Sequence, residues 1–115
     1  MKLEIFEFQN KTYEIQIGKN KFENDELVRN ASPNDIWFHI ANAHSCHVIL
    51  ITRNENIKTK ALPKQVLKRC ACLCKSNSSS NSIKNCEIIY TSISNIECTD
   101  VLGQVIATNT KKIII

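Results

Sequence analysis

Cys70-Ala71-Cys72-Leu73-Cys74 places three thiols in one short run, and thiolates are good zinc ligands. If the run is helical, each residue turns by about 100°, so Cys70 and Cys74 share a face while Cys72 points roughly 160–200° away. Three ligands do not converge on one ion from there. The spacing makes Cys70 and Cys74 small core residues and Cys72 an exposed thiol. A second group, His39, His44, Cys46 and His47, could hold a metal or pair a thiol with an imidazole as nucleophile and base. No acidic residue lies within that segment to orient a ring, so the group reads as structural or surface histidines. No catalytic residue, metal or cofactor is expected from either cluster.

Two further patterns point to binding rather than catalysis. In a strand whose Ile36, Phe38 and Ile40 face a core, Trp37 and His39 share the other face, where flat rings could stack on unpaired bases. The competing reading is that a helix covers that face as well, making Trp37 part of a second core layer. No Asp or Glu occurs between Glu55 and Glu87, an interval that holds Lys58, Lys60, Lys64, Lys68, Arg69, Lys75 and Lys84. Such a local excess attracts polyanions: nucleic acid, an anionic membrane surface or an acidic protein. A solvated helix face is the plain alternative.

The elements that must position these residues follow from periodicity. Apolar and polar residues alternate over residues 2–8 and again through Tyr13, Ile15 and Ile17, with Asn10-Lys11 between them, which predicts a β-hairpin. After Gly18, Asn20 at an N-cap and Glu23 three residues on form a capping-box pattern. That opens a short helix to about Ala31, with Leu27, Val28 and Ala31 inward and Pro33 as its stop. Residues 36–40 and 47–51 read as two core strands. Leu62-Pro63 opens the strongest helix, with Val66, Leu67, Cys70, Ala71, Leu73 and Cys74 on one arc and Lys64, Lys68, Arg69, Cys72 and Lys75 on the other. Residues 76–82, all Ser and Asn, read as a mobile loop. Residues 86–91, 102–107 and 112–115 complete the set as strands, with Gly103 at a turn or a close backbone approach. The expected fold is α+β: one domain over residues 1–115, a mostly antiparallel sheet of about six to seven strands, and two main helices.

Composition sets the outer bounds. The chain has 115 residues, 43% of them hydrophobic, enough for one modest core, and a formal charge of +4. Acidic residues interrupt the first few positions, and no apolar run approaches membrane-spanning length, so a soluble intracellular chain is expected, cytoplasmic or nuclear. Six cysteines in that setting are expected as reduced thiols.

Taken in order, Ile17-Gly18-Lys19-Asn20-Lys21-Phe22-Glu23-Asn24-Asp25-Glu26-Leu27, then Pro33-Asn34-Asp35-Ile36-Trp37-Phe38-His39-Ile40, then His47-Val48-Ile49-Leu50, resemble the NFACT-R family. Leu62-Pro63-Lys64-Gln65-Val66-Leu67, Ile89-Tyr90-Thr91, Ser94-Asn95 and Gly103-Gln104-Val105 resemble its later blocks, especially those of the stand-alone eukaryotic members. The resemblance runs colinearly over residues 13–107. It implies a non-catalytic RNA- or nucleic-acid-binding module linked to ribosome-associated quality control, with tRNA, ribosomal RNA or another ribonucleoprotein as partner and DNA also open. The motif carries over Lys19, Lys21, Asp35, Trp37, His39 and His47 as candidate contacts. Arg29, Lys64, Lys68 and Arg69 come from the charge pattern. Lysine and arginine would neutralise phosphates, and the rings would stack or donate hydrogen bonds.

Two departures alter the pattern. The family's Pro-Gly-Ser/Ala turn before the strand histidine is replaced by His44-Ser45-Cys46, and lysines common after Ser94-Asn95 give way to Ile96-Glu97-Cys98. No heptad pattern follows the domain, so a coiled-coil arm of the kind carried by longer members is not expected. The competing function class is a protein-interaction adaptor that docks the basic helix face on an acidic partner. The sequence leaves the oligomeric state open.

Overall fold

Strands β1 (Lys2–Phe8) and β2 (Lys11–Ile17) form the expected hairpin, in register from Lys2↔Ile17 to Phe8↔Lys11. Gln9 (φ 50°) and Asn10 (φ 64°) make its two-residue loop, both in the left-handed region that matches the twist of the flanking strands. The chain is described as a computed structural model over residues 1–52, 62–78, 82 and 84–115. The expected basic residues Lys58 and Lys60 lie outside that set.

Helix α1 (Lys21–Asn30) begins where the capping pattern places it, with the Asn20 side chain accepting the Glu23 main-chain N–H at 2.9 Å. The reciprocal bond goes to the main-chain N–H of Lys19, 2.9 Å from Glu23 Oε1. Strands β3 (Ile36–Ile40) and β4 (Val48–Ile51) follow, and then α2 (Lys64–Ser76). Pro63 occupies the N-cap of α2 rather than its first turn, its carbonyl accepting the Val66 N–H at 3.0 Å. Strand β5 (Glu87–Ser92), a 3-10 turn (Ile93–Asn95), β6 (Ile96–Cys98), β7 (Val105–Ala107) and β8 (Lys111–Ile114) complete the chain.

Six strands form one antiparallel sheet in the order β1-β2-β4-β3-β5-β8, while β6 and β7 pair separately. The fold is α+β, as expected, and the described residues form two helices and eight strands in two sheets. Strand β6 was not anticipated, because three residues are too few to show alternation. Of the expected strand over residues 102–107 only Val105–Ala107 pairs; the preceding residues turn at Gly103, φ +78°.

Period-two alternation in the central strands sorts residues onto two cores. Tyr13, Ile15, Phe38, Leu50 and Ile88 face α2, whose Val66, Cys70, Ala71 and Cys74 close over them. Phe38 is wholly buried and stacks on Tyr90 with centroids 5.5 Å apart. Truncating such a residue to alanine costs about 3–5 kcal/mol. On the opposite face Trp37 and Ile49 pack with Leu27 and Val28 of α1, with Ile93, and with the β6–β7 ribbon. The two helices therefore lie on opposite sides of the sheet.

The polar run after α2 does not behave throughout as the expected mobile loop. Ser76 is the last residue of α2, and Ser78 is buried, its hydroxyl donating to Cys74 O at 2.6 Å and accepting the Cys46 N–H at 3.2 Å. One small hydroxyl satisfies a helix-end carbonyl and a loop amide together, which a reading of polarity alone does not foresee. Residues 79–81 are outside the described set.

Candidate nucleic-acid interface

Strand β3 turns Trp37 and His39 to the side away from Phe38, and His47, just before β4, joins them. Trp37 donates its indole N–H to Nδ1 of His47 at 3.3 Å. The rings of Trp37 and His39 lie nearly parallel, centroids 5.4 Å apart, and His47 stands edge-on to both, at 5.7 Å and 5.0 Å. Nδ1 of His39 bonds the Ile40 carbonyl at 2.6 Å. Burial lowers the pKa of His39, and burial together with the neighbouring His39 pushes His47 down to about 3, against an opposing pull from Asp25.

Helix α1 is seated on this cluster through one polar contact. Asn24, on the inward side of the helix with Leu27 and Val28, accepts the main-chain N–H of His47 at 3.1 Å, while the Gly18 N–H bonds the His47 carbonyl at 3.0 Å. A β-carbon at residue 18 would collide with Oδ1 of Asn24, so glycine is required for the carboxamide to reach its place. Gly103 also packs closely, though less so, against the start of α1, where an added β-carbon would sit 3.0 Å from the Lys21 carbonyl. The Arg29 guanidinium, with help from the Gly103 N–H, holds the Asp25 carboxyl below the usual range.

Between these parts runs a groove of about 800 Å³. Its floor includes Trp37, His39 and His47; Lys21 and His44 stand at the rim; and Leu102, Val105 and Ala107 supply an apolar wall. The loop over residues 41–47 that edges it lacks the family's glycine turn. Asn42 takes the left-handed conformation instead (φ 57°), and Ser45 Oγ accepts the Ile40 N–H at 3.1 Å and donates to the Cys46 carbonyl at 2.8 Å.

The candidates from sequence separate into four groups. Lys21, Trp37, His39 and His47 converge on the groove, and exposed Lys19 lies just before α1. Trp37, however, is only 2% exposed, and the face it shares with His39 is covered by α1, so no open stacking platform exists there; His39 alone is half-exposed. Arg29 is held by Asp25 at 2.8 Å. Asp35 is buried and tied down: it accepts the Ser32 N–H at 2.9 Å, the Thr52 N–H at 2.8 Å and the Thr52 hydroxyl at 3.1 Å. Its position is that of a brace between the turn before β3 and the end of β4. Lys64, Lys68 and Arg69 are exposed on α2, on the other side of the sheet from the groove, with Arg69 3.6 Å from Glu4.

The cysteines are placed by the two-core architecture. Cys70 and Cys74 are wholly buried beneath α2, and Cys72, from the opposite side of the helix, is half-exposed. Cys46 belongs to the core under α2, where its thiol contacts the Cys74 carbonyl at 3.4 Å, whereas His47 points to the other side of the sheet. Adjacent residues of an extended chain diverge in this way, so the thiol and the imidazole do not form a nucleophile–base pair.

A family model described as the NFACT protein RNA binding domain matches residues 2–112. The chain belongs to that family. The chain is 41% identical over 90 residues to coiled-coil domain-containing protein 25 of Mus musculus, a match covering 76% of this chain and 42% of that protein. It is 32% identical over 108 residues to a coiled-coil domain-containing protein 25 homolog of Dictyostelium discoideum, covering 88% and 50%. The chain thus spans half or less of the length of these relatives. Among solved structures, the C-terminal part of the fibronectin/fibrinogen-binding protein from Streptococcus suis superposes with a TM-score of 0.81 at 19% identity, covering 100% of this chain and 45% of that one. That likeness concerns the fold.

Sequence reasoning passed over Asn24, Leu102 and the structural role of Gly18 in this domain. A signal for Asn24 was present: it occupies the inward position three and four residues before Leu27 and Val28, and a polar group on an apolar stripe needs a buried partner. No pattern in the chain indicated that the turn after β6 would border a groove beside β3.

Proposed function

We propose that the chain is a non-catalytic RNA-binding module, acting on tRNA, ribosomal RNA or a ribonucleoprotein in ribosome-associated quality control, in the cytoplasm or the nucleus. The observation that supports this reading is the convergence of Lys21, Trp37, His39 and His47, drawn from three separated segments, on one groove, with exposed Lys19 just before the helix that borders it. Membership of an RNA-binding domain family points the same way. Lys21 at the rim and Lys19 just before α1 supply phosphate neutralisation, which is the sequence-independent part of RNA affinity. Among the described residues no helix is long and apolar enough to cross a membrane.

A second reading, a protein adaptor, is favoured by one feature. Lys64 and Lys68 are exposed without an ion pair among the described residues, on the face of the molecule opposite the groove. Binding of labelled tRNA, a ribosomal RNA fragment and duplex DNA across a salt series tests both readings in Lys19→Ala/Lys21→Ala and Lys64→Ala/Lys68→Ala/Arg69→Ala variants. For single-stranded RNA each lost phosphate contact lowers the log–log salt slope by about 0.7, so the first variant is expected to lose about 1 to 2. Loss confined to the second variant moves the interface to α2. Absence of binding to every nucleic acid, with a partner that survives ribonuclease in affinity preparations, replaces the RNA reading with the adaptor.

A further inference from the structure

Two ring nitrogens at the groove floor have hydrogen-bonding roles dictated by their neighbours. An indole N–H is a donor only, so the bond from Trp37 makes Nδ1 of His47 an acceptor and places the proton of the neutral ring on Nε2. A main-chain carbonyl only accepts, so the contact with Ile40 makes Nδ1 of His39 the protonated nitrogen and leaves Nε2 with its lone pair. Burial keeps both rings neutral near physiological pH. Among the described residues neither Nε2 has a hydrogen-bond partner, although His47 is only 3% exposed. No sealed side-chain nitrogen or oxygen among the described residues lacks a partner, so each of these atoms keeps some exposure, and both rings line the same groove. An N–H donor and a nitrogen acceptor therefore face one cavity from rings 5.0 Å apart.

We propose that this groove is a pocket for one unpaired nucleobase of a bound RNA, whose edge pairs with the N–H of His47 and the bare nitrogen of His39 while its flanking phosphate meets Lys21. The proposal rests on the RNA-binding reading above and names what that site takes. A phosphate is a poor occupant of the floor, since an ion buried between two neutral rings costs several kcal/mol without a counter-charge. A neutral heterocycle fits: every nucleobase presents a donor beside an acceptor, and the wall of Leu102, Val105 and Ala107 offers apolar contact to its faces. The volume, about 800 Å³, lies in the range of small-ligand pockets, roughly 300–1,000 Å³. A base inside a duplex has this edge occupied and both faces stacked, so only an unpaired or extruded one enters.

Trp37 is the single tryptophan of the chain, and its N–H is bonded to one of the two reading residues, so its emission reports on the pocket. The experiment titrates the full chain with a short single-stranded oligoribonucleotide, with the same backbone carrying abasic sites, and with an RNA duplex, following both affinity and Trp37 emission. The expected result is a saturable emission change with the single strand and affinity at least about tenfold lower for the abasic strand, the loss of one base's paired hydrogen bonds and its apolar contacts. His39→Phe keeps a flat ring beside Trp37 but removes the acceptor. It should weaken single-strand binding about three- to tenfold, the worth of one neutral hydrogen bond, and leave the abasic strand unaffected. Equal affinity for base-bearing and abasic strands, or RNA binding with unchanged emission, overturns the pocket while RNA binding itself stands. Failure of every RNA to bind removes the RNA reading, and the pocket with it. The comparison of strands on the unmodified chain holds whether or not the variant folds.

Discussion

Trp37 donates its indole N–H to Nδ1 of His47 across 3.3 Å, and this bond survives only while His47 is neutral. Burial, reinforced by the adjacent His39, lowers the His47 pKa to about 3 from an ordinary value of 6.5. The unfolded chain takes up a proton as pH falls through 6.5, whereas the native ring refuses it until about 3. Within that window the unfolded state binds more protons, so stability is complete above 6.5 and falls as pH falls. One ring contributes a slope of up to about 1.4 kcal/mol per pH unit, and His39, also lowered by burial, adds to it in the upper part of the window. Urea unfolding at pH values of about 7, 6 and 5, above the main carboxylate titrations, measures it. A level stability across that range contradicts the assignment.

Gly18→Ala drives a methyl group into Oδ1 of Asn24, breaking the carboxamide's bond to the His47 N–H. The expected cost is about 1–3 kcal/mol, that of a buried amide left without its acceptor. Asn24→Ala removes the same bond by another route, so the two costs should fall short of adding in a double-mutant cycle. Strict additivity would mean that Gly18 and Asn24 act independently.

Asp35→Ala should lower stability by about 2–4 kcal/mol, because it strands two main-chain N–H groups and a hydroxyl that all converge on one buried carboxylate. The salt slope of RNA binding should stay as it was at temperatures where the variant is folded. A changed slope would make Asp35 part of the interface rather than a brace beneath it.

Native thiol labelling at neutral pH should modify Cys72 and Cys98, both half-exposed, well before Cys46, Cys70, Cys74 and Cys86, which are buried. Burial also raises the Cys70 pKa, whereas hydrogen bonds from Cys74 and Ser78 lower that of Cys46 to about 7, so the slow labelling of Cys46 rests on its inaccessibility alone. Mass spectrometry of partially labelled protein gives the order. Cys46 reacting ahead of Cys72 would reopen a nucleophilic role for it.

Much of this was legible along the chain, because the physical signals involved are local. Alternation in residues 2–8 and 11–17 required a hairpin, Asn20 and Glu23 marked the start of α1, and the apolar arc from Val66 to Cys74 settled which side of α2 is buried, including the fate of its three cysteines. The order of motif residues was enough to indicate the family. What the chain did not carry was which element covers the second face of the sheet. That depends on antiparallel pairing between strands far apart in sequence, and on the few contacts by which Gly18, Asn24 and Gly103 seat α1. Tertiary structure alone therefore decided that Trp37 is buried beneath α1, that Asp35 bonds both Ser32 and Thr52, and that Lys64, Lys68 and Arg69 lie on the far side of the sheet from Lys21. The tautomers of His39 and His47 belong to the same class. A ring takes its proton where its nearest fixed donor or acceptor requires, and those partners are set by packing, not by the residue's place in the sequence.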